Sequence, residues 1–454
     1  MVSVCRTYTR FWLLTLHLSL NRLAILGLTW QYTSGQVAFD VYEAQSAALA
    51  SDATALNPIP EKLKGSLPQA DDSSIRVIES DLRFTLYRHW SLETAMFHTA
   101  YVAAKLSIWK ESGMSKLRGL LAKMGFSLSN CRQTYEHMDL DLRNVLVNRM
   151  DAIAREYALT ELLYRSFLRS FGFRSAPLSA ADAVEGINAL LQAAYGVLLE
   201  IDTPGMTFAA ACNYEKDAKF KSAVGNGGTD LFGARRTWNL AGEGGDDDGP
   251  KKDLWARNFF AAYNALDTSR PENIDLLQAS LSLSKSLHHA VVSCGISIIE
   301  KHAIRTLRSF RLVILTDGPD LALFSNPSVL TRLAMWLIDA LRDSMIEVEK
   351  RNAQNRRARK KAKQDADALP SSDLPYTMPF VVAAMDQAKS TYTVVGVSGA
   401  TDFGDVRRNQ FGLAFQEAAE KSGATTQHDR FETSVVEVAA PHLKAFVDAL
   451  YVKA

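Results

Sequence analysis

Apolar residues recur three and four positions apart over long stretches of this chain, and short aliphatic or β-branched runs replace that period only towards its end. The helical spacing is clearest after Asp81. Leu82, Leu86 and His89 share one face, Ser91 offers a hydroxyl to cap a following helix with Glu93 in its first turn, and Met96, Ala100, Ala103, Ala104 and Ile108 continue the period. Two packed helices are predicted between Asp81 and Trp109. The period runs on to about Leu199, punctuated by Gly113, Gly125 and the Gly172 region, with Ser175 to Ser179 placed to cap a helix from Ala180. Residues 75–200 are therefore expected to form an all-helical domain.

On either side the pattern changes. Residues 37–74 lose the apolar period and gain Ala, Ser, Asp and Pro (Asn57-Pro-Ile-Pro60, Gly65-Ser-Leu-Pro68), the composition of a linker. Residues 201–253 are rich in Gly, Asp and Lys and are expected to be a disordered insertion, because too little apolar surface is available to offset the entropy of ordering. From 254 to 454 helices and strands mix. Helices are predicted at Trp255–Leu266, Ile274–Ile304, Val329–Glu349, Asn409–Lys421 and Pro441–Tyr451. Strands are predicted at Phe310–Leu315, Asp320–Phe324, Phe380–Ala384, Tyr392–Val397 and Thr433–Val438. The fold class is α+β: a helical domain followed by an α/β domain carrying a basic insertion at 350–375.

Composition narrows the chemistry. The 51 basic and 50 acidic residues nearly cancel, so any nucleic-acid contact has to be local. Cys5, Cys131, Cys212 and Cys294 are far apart, the histidines are scattered, and neither a zinc-ligand spacing nor a His-Glu-x-x-His cluster occurs. A Walker loop, a Rossmann fingerprint and a Gly-x-Ser-x-Gly elbow are absent too. The apolar run Phe11–Leu20 after Arg6 and Arg10 has the look of a secretory signal, but His17, Ser19, Asn21 and Arg22 interrupt it and no small-residue cleavage site follows. No later stretch approaches the ~20 apolar residues of a spanning helix.

The polar and aromatic order Leu86-Tyr-Arg-His-Trp-Ser-Leu92 resembles the cell division control protein 45 family of eukaryotic replication factors. Collinear stretches extend the resemblance over most of the chain after Leu23: Leu23–Thr29, Leu117–Phe126, Met138–Leu142, Phe171–Phe173, Pro319–Ser325, Thr393–Val397 and Asn409–Glu420. In the family an amino-terminal domain, similar to that of the DHH phosphoesterases, precedes the Leu23 motif. The resemblance thus implies that residues 1–36 are a remnant of that domain or, up to about Arg22, a non-native start.

The resemblance implies a role. Family members are non-enzymatic subunits of the replicative DNA helicase that bridge the minichromosome maintenance hexamer and the GINS tetramer, in the nucleus, with other initiation factors as further partners. Residues 75–200 would then be the helicase-contacting domain, and 254–454 would resemble the phosphoesterase-associated domain. Single-stranded DNA contact would fall mainly to the absent domain. The competing reading is an active metal-dependent exonuclease of the RecJ type, whose clustered Asp and His hold two metal ions. That cluster belongs to the absent domain. His288-His289 follows Leu287 in a helical stretch and reads as one half-buried and one exposed histidine. Val395–Asp402 has glycines but no histidine where those enzymes carry Gly-Gly-His, so Gly396 and Gly399 are expected to serve a tight strand-to-helix turn. No catalytic, metal or cofactor residue is assigned, and no membrane partner.

Two sets of contact residues remain. Arg83, Arg88, His89 and Trp90 are the candidates for partner contact, with Arg83, Arg88 and His89 expected to face the surface while Phe97, Tyr101 and Trp109 are buried. Lys350, Arg351, Arg356, Arg357, Arg359, Lys360, Lys361 and Lys363 form a basic run of the kind an import receptor grips; it lacks the aromatics that would stack on bases.

Overall fold

The computed structural model describes residues 21–56, 75–159, 162–171, 176–192, 198–201, 236–239, 254–267, 271–318, 320–342, 378–399, 409–429 and 432–451. The first half holds α1 (21–33), α2 (Phe39–Leu56), β1 (Ile75–Leu82), α3 (Leu92–His98), α4 (Ala100–Leu106), α5 (Glu111–Lys123), α6 (Leu128–Arg132) and α7 (Leu140–Ala154). There follow β2 (Leu163–Arg169), β3 (Leu178–Ser179), α8 (Ala180–Gln192), β4 (Leu198–Ile201), β5 (Arg236–Asn239), α9 (Leu254–Leu266) and α10 (Pro271–Glu300). The last third holds β6 (Arg305–Thr306), β7 (Arg311–Leu315), α11 (Leu321–Phe324), α12 (327–342), β8 (Phe380–Asp386), β9 (Thr391–Val397), α13 (Phe411–Ser422), β10 (Thr426–His428), β11 (Val435–Ala439) and α14 (Leu443–Ala449). The fold is mixed helix and sheet, as expected.

The chain forms two compact units, each assembled from separated stretches. One comprises Met1–His89, Leu140–Asp151 and Thr160–Leu287; the other comprises Trp90–Asp139, Ala152–Leu159 and His288–Ala454.

In the first unit, β1, β2 and β3 make an antiparallel sheet. Ile25, Ala50, Phe167 and Ala180 close one cluster, and Leu28, Tyr32, Tyr42 and Tyr164 another, so α1, α2 and α8 share apolar packing with β2. Two expectations change here. The stretch 75–200 is not all-helical, because β1 pairs with β2 from Ile75↔Arg169 to Leu82↔Leu163, and distant pairing overrides local period. The first part of the expected linker is the helix α2. Alanine-rich sequence favours helix, and Tyr42, 1% exposed, anchors it by stacking on Tyr32 at 4.3 Å between ring centroids. Residues 57–74 lie outside the described residues. So does most of the insertion 201–253, of which Ile201 and Arg236–Asn239 belong to the β4–β5 ladder.

In the second unit, a six-stranded sheet runs in the order β10-β11-β9-β8-β7-β6, antiparallel except for the β7–β8 pair. Phe310, Leu312, Val381, Ala383, Val394, Val436 and Val438 bury one face against Phe411 and Phe415 of α13 and Phe446 of α14. The alternate residues Val313, Val382, Ala384 and Val395 are buried too, so the central strands read as continuous apolar runs. The expected strand Asp320–Phe324 is the short helix α11, where three buried apolar residues in four, Leu321, Leu323 and Phe324, do not specify a strand.

Candidate interaction site

The segment between β1 and α3 is built by an irregularity in the sheet. The register shifts between Ile78 and Asp81, so Glu79 and Ser80 both turn outward and Asp81 and Leu82 are both buried. A bulge re-aims the side chains beyond it, and here it drives a carboxylate inward. Leu86 then takes a left-handed φ of 51°, which no helix interior tolerates, and Tyr87–His89 closes as one 3-10 turn. The predicted helix from Leu82 to His89 therefore does not form.

That turn brings Tyr87, Arg88 and His89 onto buried acids of their own unit. Asp81 Oδ1 accepts hydrogen bonds from the Tyr87 hydroxyl at 2.6 Å, from the Arg88 guanidinium at 2.7 Å and from the Leu82 amide at 2.9 Å. The Arg88 guanidinium also lies 4.5 Å from the Tyr87 ring centroid. His89 Nε2 is 3.5 Å from Asp182 Oδ2, and Asp182 and Ser179 bond reciprocally across the start of α8, a capping box with Asp in the third position. Burial alone would raise the Asp182 carboxyl pKa, but His89, Arg88 and Ser179 hold it below its ordinary value. Burial works against the Arg88 charge, yet Tyr87 and Asp81 outweigh it and keep the guanidinium pKa above its usual range.

Arg88 and His89 are thus not surface residues: their side chains are 12% and 8% exposed. Arg83 is half-buried with its guanidinium 4.7 Å from the Tyr32 ring centroid, and Trp90 is half-buried. The run spelled Tyr-Arg-His is conspicuous as sequence because it partners two buried carboxylates. Asp182 was not singled out from the sequence. The Ser-x-x-Asp spacing at the head of an apolar helix was the signal that could have found it.

In the second unit Ser91 caps α3 as expected, its hydroxyl accepting the Thr94 amide. The predicted continuous helix breaks at Thr99, whose backbone is extended and whose hydroxyl bonds the Ala95 carbonyl at 2.7 Å. His98, at the end of α3, stacks on Trp90 with 4.5 Å between centroids, and His289 lies 5.8 Å from it. Burial, with smaller contributions from His288 and His289, pushes the His98 imidazole down to about 4. His288 is half-buried and His289 exposed, as expected. Among the described residues no group of three His, Cys, Asp or Glu is placed to hold a metal ion. Tyr101 is buried, while Phe97 and Trp109 are half-buried rather than buried. The basic candidates Lys350 to Lys363 lie outside the described residues.

Gly396 does not make a turn. It sits inside β9 opposite Val381, and a Cβ there would come 2.2 Å from Phe411 Cγ, so the glycine is required by the ring pressed onto the strand. Asn409 fixes that approach by donating to the Gly396 carbonyl and accepting the Phe411 amide.

A bulged antiparallel sheet, a six-stranded mixed sheet and two buried carboxylates partnered by Arg88 and His89 of the same chain define a mixed α/β protein with a buried polar cluster. The family model described as CDC45 matches residues 21–453, and the chain belongs to the CDC45 family. It is 39% identical over 530 residues to "Protein TSD2" of Mycosarcoma maydis, covering 95% of this chain and 61% of that protein. It is 34% identical over 450 residues to the "Cell division control protein 45 homolog" of Schizosaccharomyces pombe, covering 95% and 60%. The chain thus spans about three-fifths of the length of these curated relatives. The crystal structure of CDC45 from Entamoeba histolytica has a similar fold, with a TM-score of 0.57 at 20% identity, covering 94% of this chain and 66% of that one. Among the described residues no helix is long and apolar enough to cross a membrane.

Proposed function

We propose that this chain acts in DNA replication as a non-enzymatic scaffold of the replicative helicase, joining the minichromosome maintenance hexamer to the GINS tetramer during initiation and elongation. The observation that carries the reading is the family match along residues 21–453. Family membership also supports a nuclear site of action, with Lys350 to Lys363 as the import signal. The non-enzymatic part draws support from the Asp81 and Asp182 carboxylates, which face Arg88 and His89 instead of standing open to metal ions. A scaffold contributes binding energy and geometry: tethering two weakly associating partners raises their effective concentration without chemistry of its own.

The role of Arg83, Arg88, His89 and Trp90 is refined accordingly. Arg88 and His89 set the conformation of the Tyr87–His89 turn, and the contacts to partners come from the surface around it. A pull-down of the tagged full chain from nuclear extract, probed for minichromosome maintenance and GINS subunits, tests the scaffold. Recovery of both is the expected result; a soluble, monodisperse chain that recovers neither overturns it.

A further inference from the structure

The hairpin that ends the six-stranded sheet is rich in exposed cations. From Lys301 to Thr316 the chain has no Asp or Glu, while Lys301, His302, Arg305, Arg308 and Arg311 all fall within it. Glu300 and Asp317 bound the run on either side. Lys301, His302, Arg305 and Arg308 are exposed, and none of the three cations Lys301, Arg305 and Arg308 makes an ion pair among the described residues.

The backbone under these cations is fixed. His302 takes a left-handed φ of 51°, the Ala303 amide bonds the Ile298 carbonyl at 3.0 Å, and the Leu307 amide bonds the Phe310 carbonyl at 2.9 Å. Arg305 and Thr306 pair with Leu312 and Arg311 of β7, and β6 has no further strand on its outer side among the described residues. Buried Phe310 and Leu312 pin the hairpin to the core.

Two features choose among polyanions. Leu307, two residues after Arg305 and next to Arg308, is 38% exposed in the middle of the charge. Phe310, the only Phe, Tyr or Trp between Lys301 and Thr316, is 1% exposed and has no face to offer a base. Sugar-phosphate would find charge here but no exposed Phe, Tyr or Trp on which to stack bases, whereas a peptide could satisfy both the arginines and the leucine. A charged edge strand also guards against self-pairing. That guard does not require an exposed leucine.

We propose that the 301–311 hairpin is a docking surface for an acidic segment of a partner protein, one that places an apolar side chain between its carboxylates. The carboxylates meet Arg305 and Arg308, the apolar side chain covers Leu307, and the outer edge of β6, unpaired among the described residues, is available to an extended peptide. This goes beyond the scaffold reading and does not rest on it.

The test is fluorescence anisotropy with the full chain and a labelled synthetic peptide in which two leucines are flanked by glutamates. Saturable binding is expected, falling as salt rises. Arg305→Glu with Arg308→Glu is expected to weaken it about tenfold or more, and Leu307→Ala about threefold. Arg305→Lys with Arg308→Lys, which keeps the charge, is expected to hold affinity within about threefold. Should the charge-reversed chain lose its circular dichroism spectrum, Arg305→Gln with Arg308→Gln gives the same reading. The proposal is overturned if the peptide does not bind, if charge removal leaves binding unchanged, if an alanine-substituted peptide binds equally, or if labelled oligothymidylate binds more tightly than the peptide.

Discussion

The Arg88 guanidinium lies 2.7 Å from Asp81 Oδ1, with the two side chains only 12% and 2% exposed. A pair so nearly removed from water cannot lose one member cheaply, because the other keeps its charge without its solvent. Arg88→Ala is expected to destabilise the chain by about 3–5 kcal/mol in urea unfolding, and Arg88→Lys by less, since an ammonium restores charge without the planar fork. An unchanged midpoint for Arg88→Ala would remove the pair from any structural role.

Gly396 faces the Phe411 ring so closely that a methyl group would lie 2.2 Å from Cγ. Both residues are held by Asn409, so neither can retreat without breaking a hydrogen bond. Gly396→Ala is expected to cost about 1–3 kcal/mol, the usual range for overpacking, and Phe411→Leu in the same chain is expected to recover part of that loss. A double-mutant cycle with no coupling would contradict the packing argument.

His98 gives the chain a pH dependence whose sign is fixed. Its folded pKa, pushed by burial from 6.5 to about 4, is below the unfolded value, so between these limits the unfolded state binds the extra proton. The stability held by neutral His98 is complete above about pH 6.5 and is lost as pH falls towards 4, by at most about 3 kcal/mol. His98→Phe keeps the stack on Trp90 and is expected to flatten that part of the melting-temperature profile. Equal acid sensitivity in wild type and variant would refute the assignment.

Cys131 and Cys294 are expected to be inert in the folded chain. Burial, helped by Glu93 and Asp320 respectively, pushes the thiols up to about 11 and about 12, leaving almost no thiolate near neutrality. Iodoacetamide labelling mapped by mass spectrometry should proceed at least about tenfold more slowly at these two positions in buffer than in urea. Comparable rates would mean that both sites open readily.

Much of the second unit was legible because its signals are short-ranged. The strands Arg311–Leu315, Phe380–Asp386, Thr391–Val397 and Val435–Ala439 fall where aliphatic runs between turn residues place them, and the Ser91 cap is local chemistry within four residues. Leu321–Phe324 is a helix where a strand is expected, because four apolar residues do not declare a period. His288 and His289 take their half-buried and exposed positions from the helical frame that α10 provides.

The sequence by itself determined family membership, through collinear motifs, and the mixed fold class, since both rest on residue order. Tertiary structure alone decided what Tyr87, Arg88 and His89 do. Their direction depends on a bulge defined against Tyr164 and on an aspartate in α8, two residues far from them in the chain, and on a left-handed Leu86 next to them that their own period does not show. It likewise decided why residue 396 is glycine, because the reason is the Phe411 ring pressed against the strand and not a turn. Periodicity records which side of an element is buried; it does not record what that side meets.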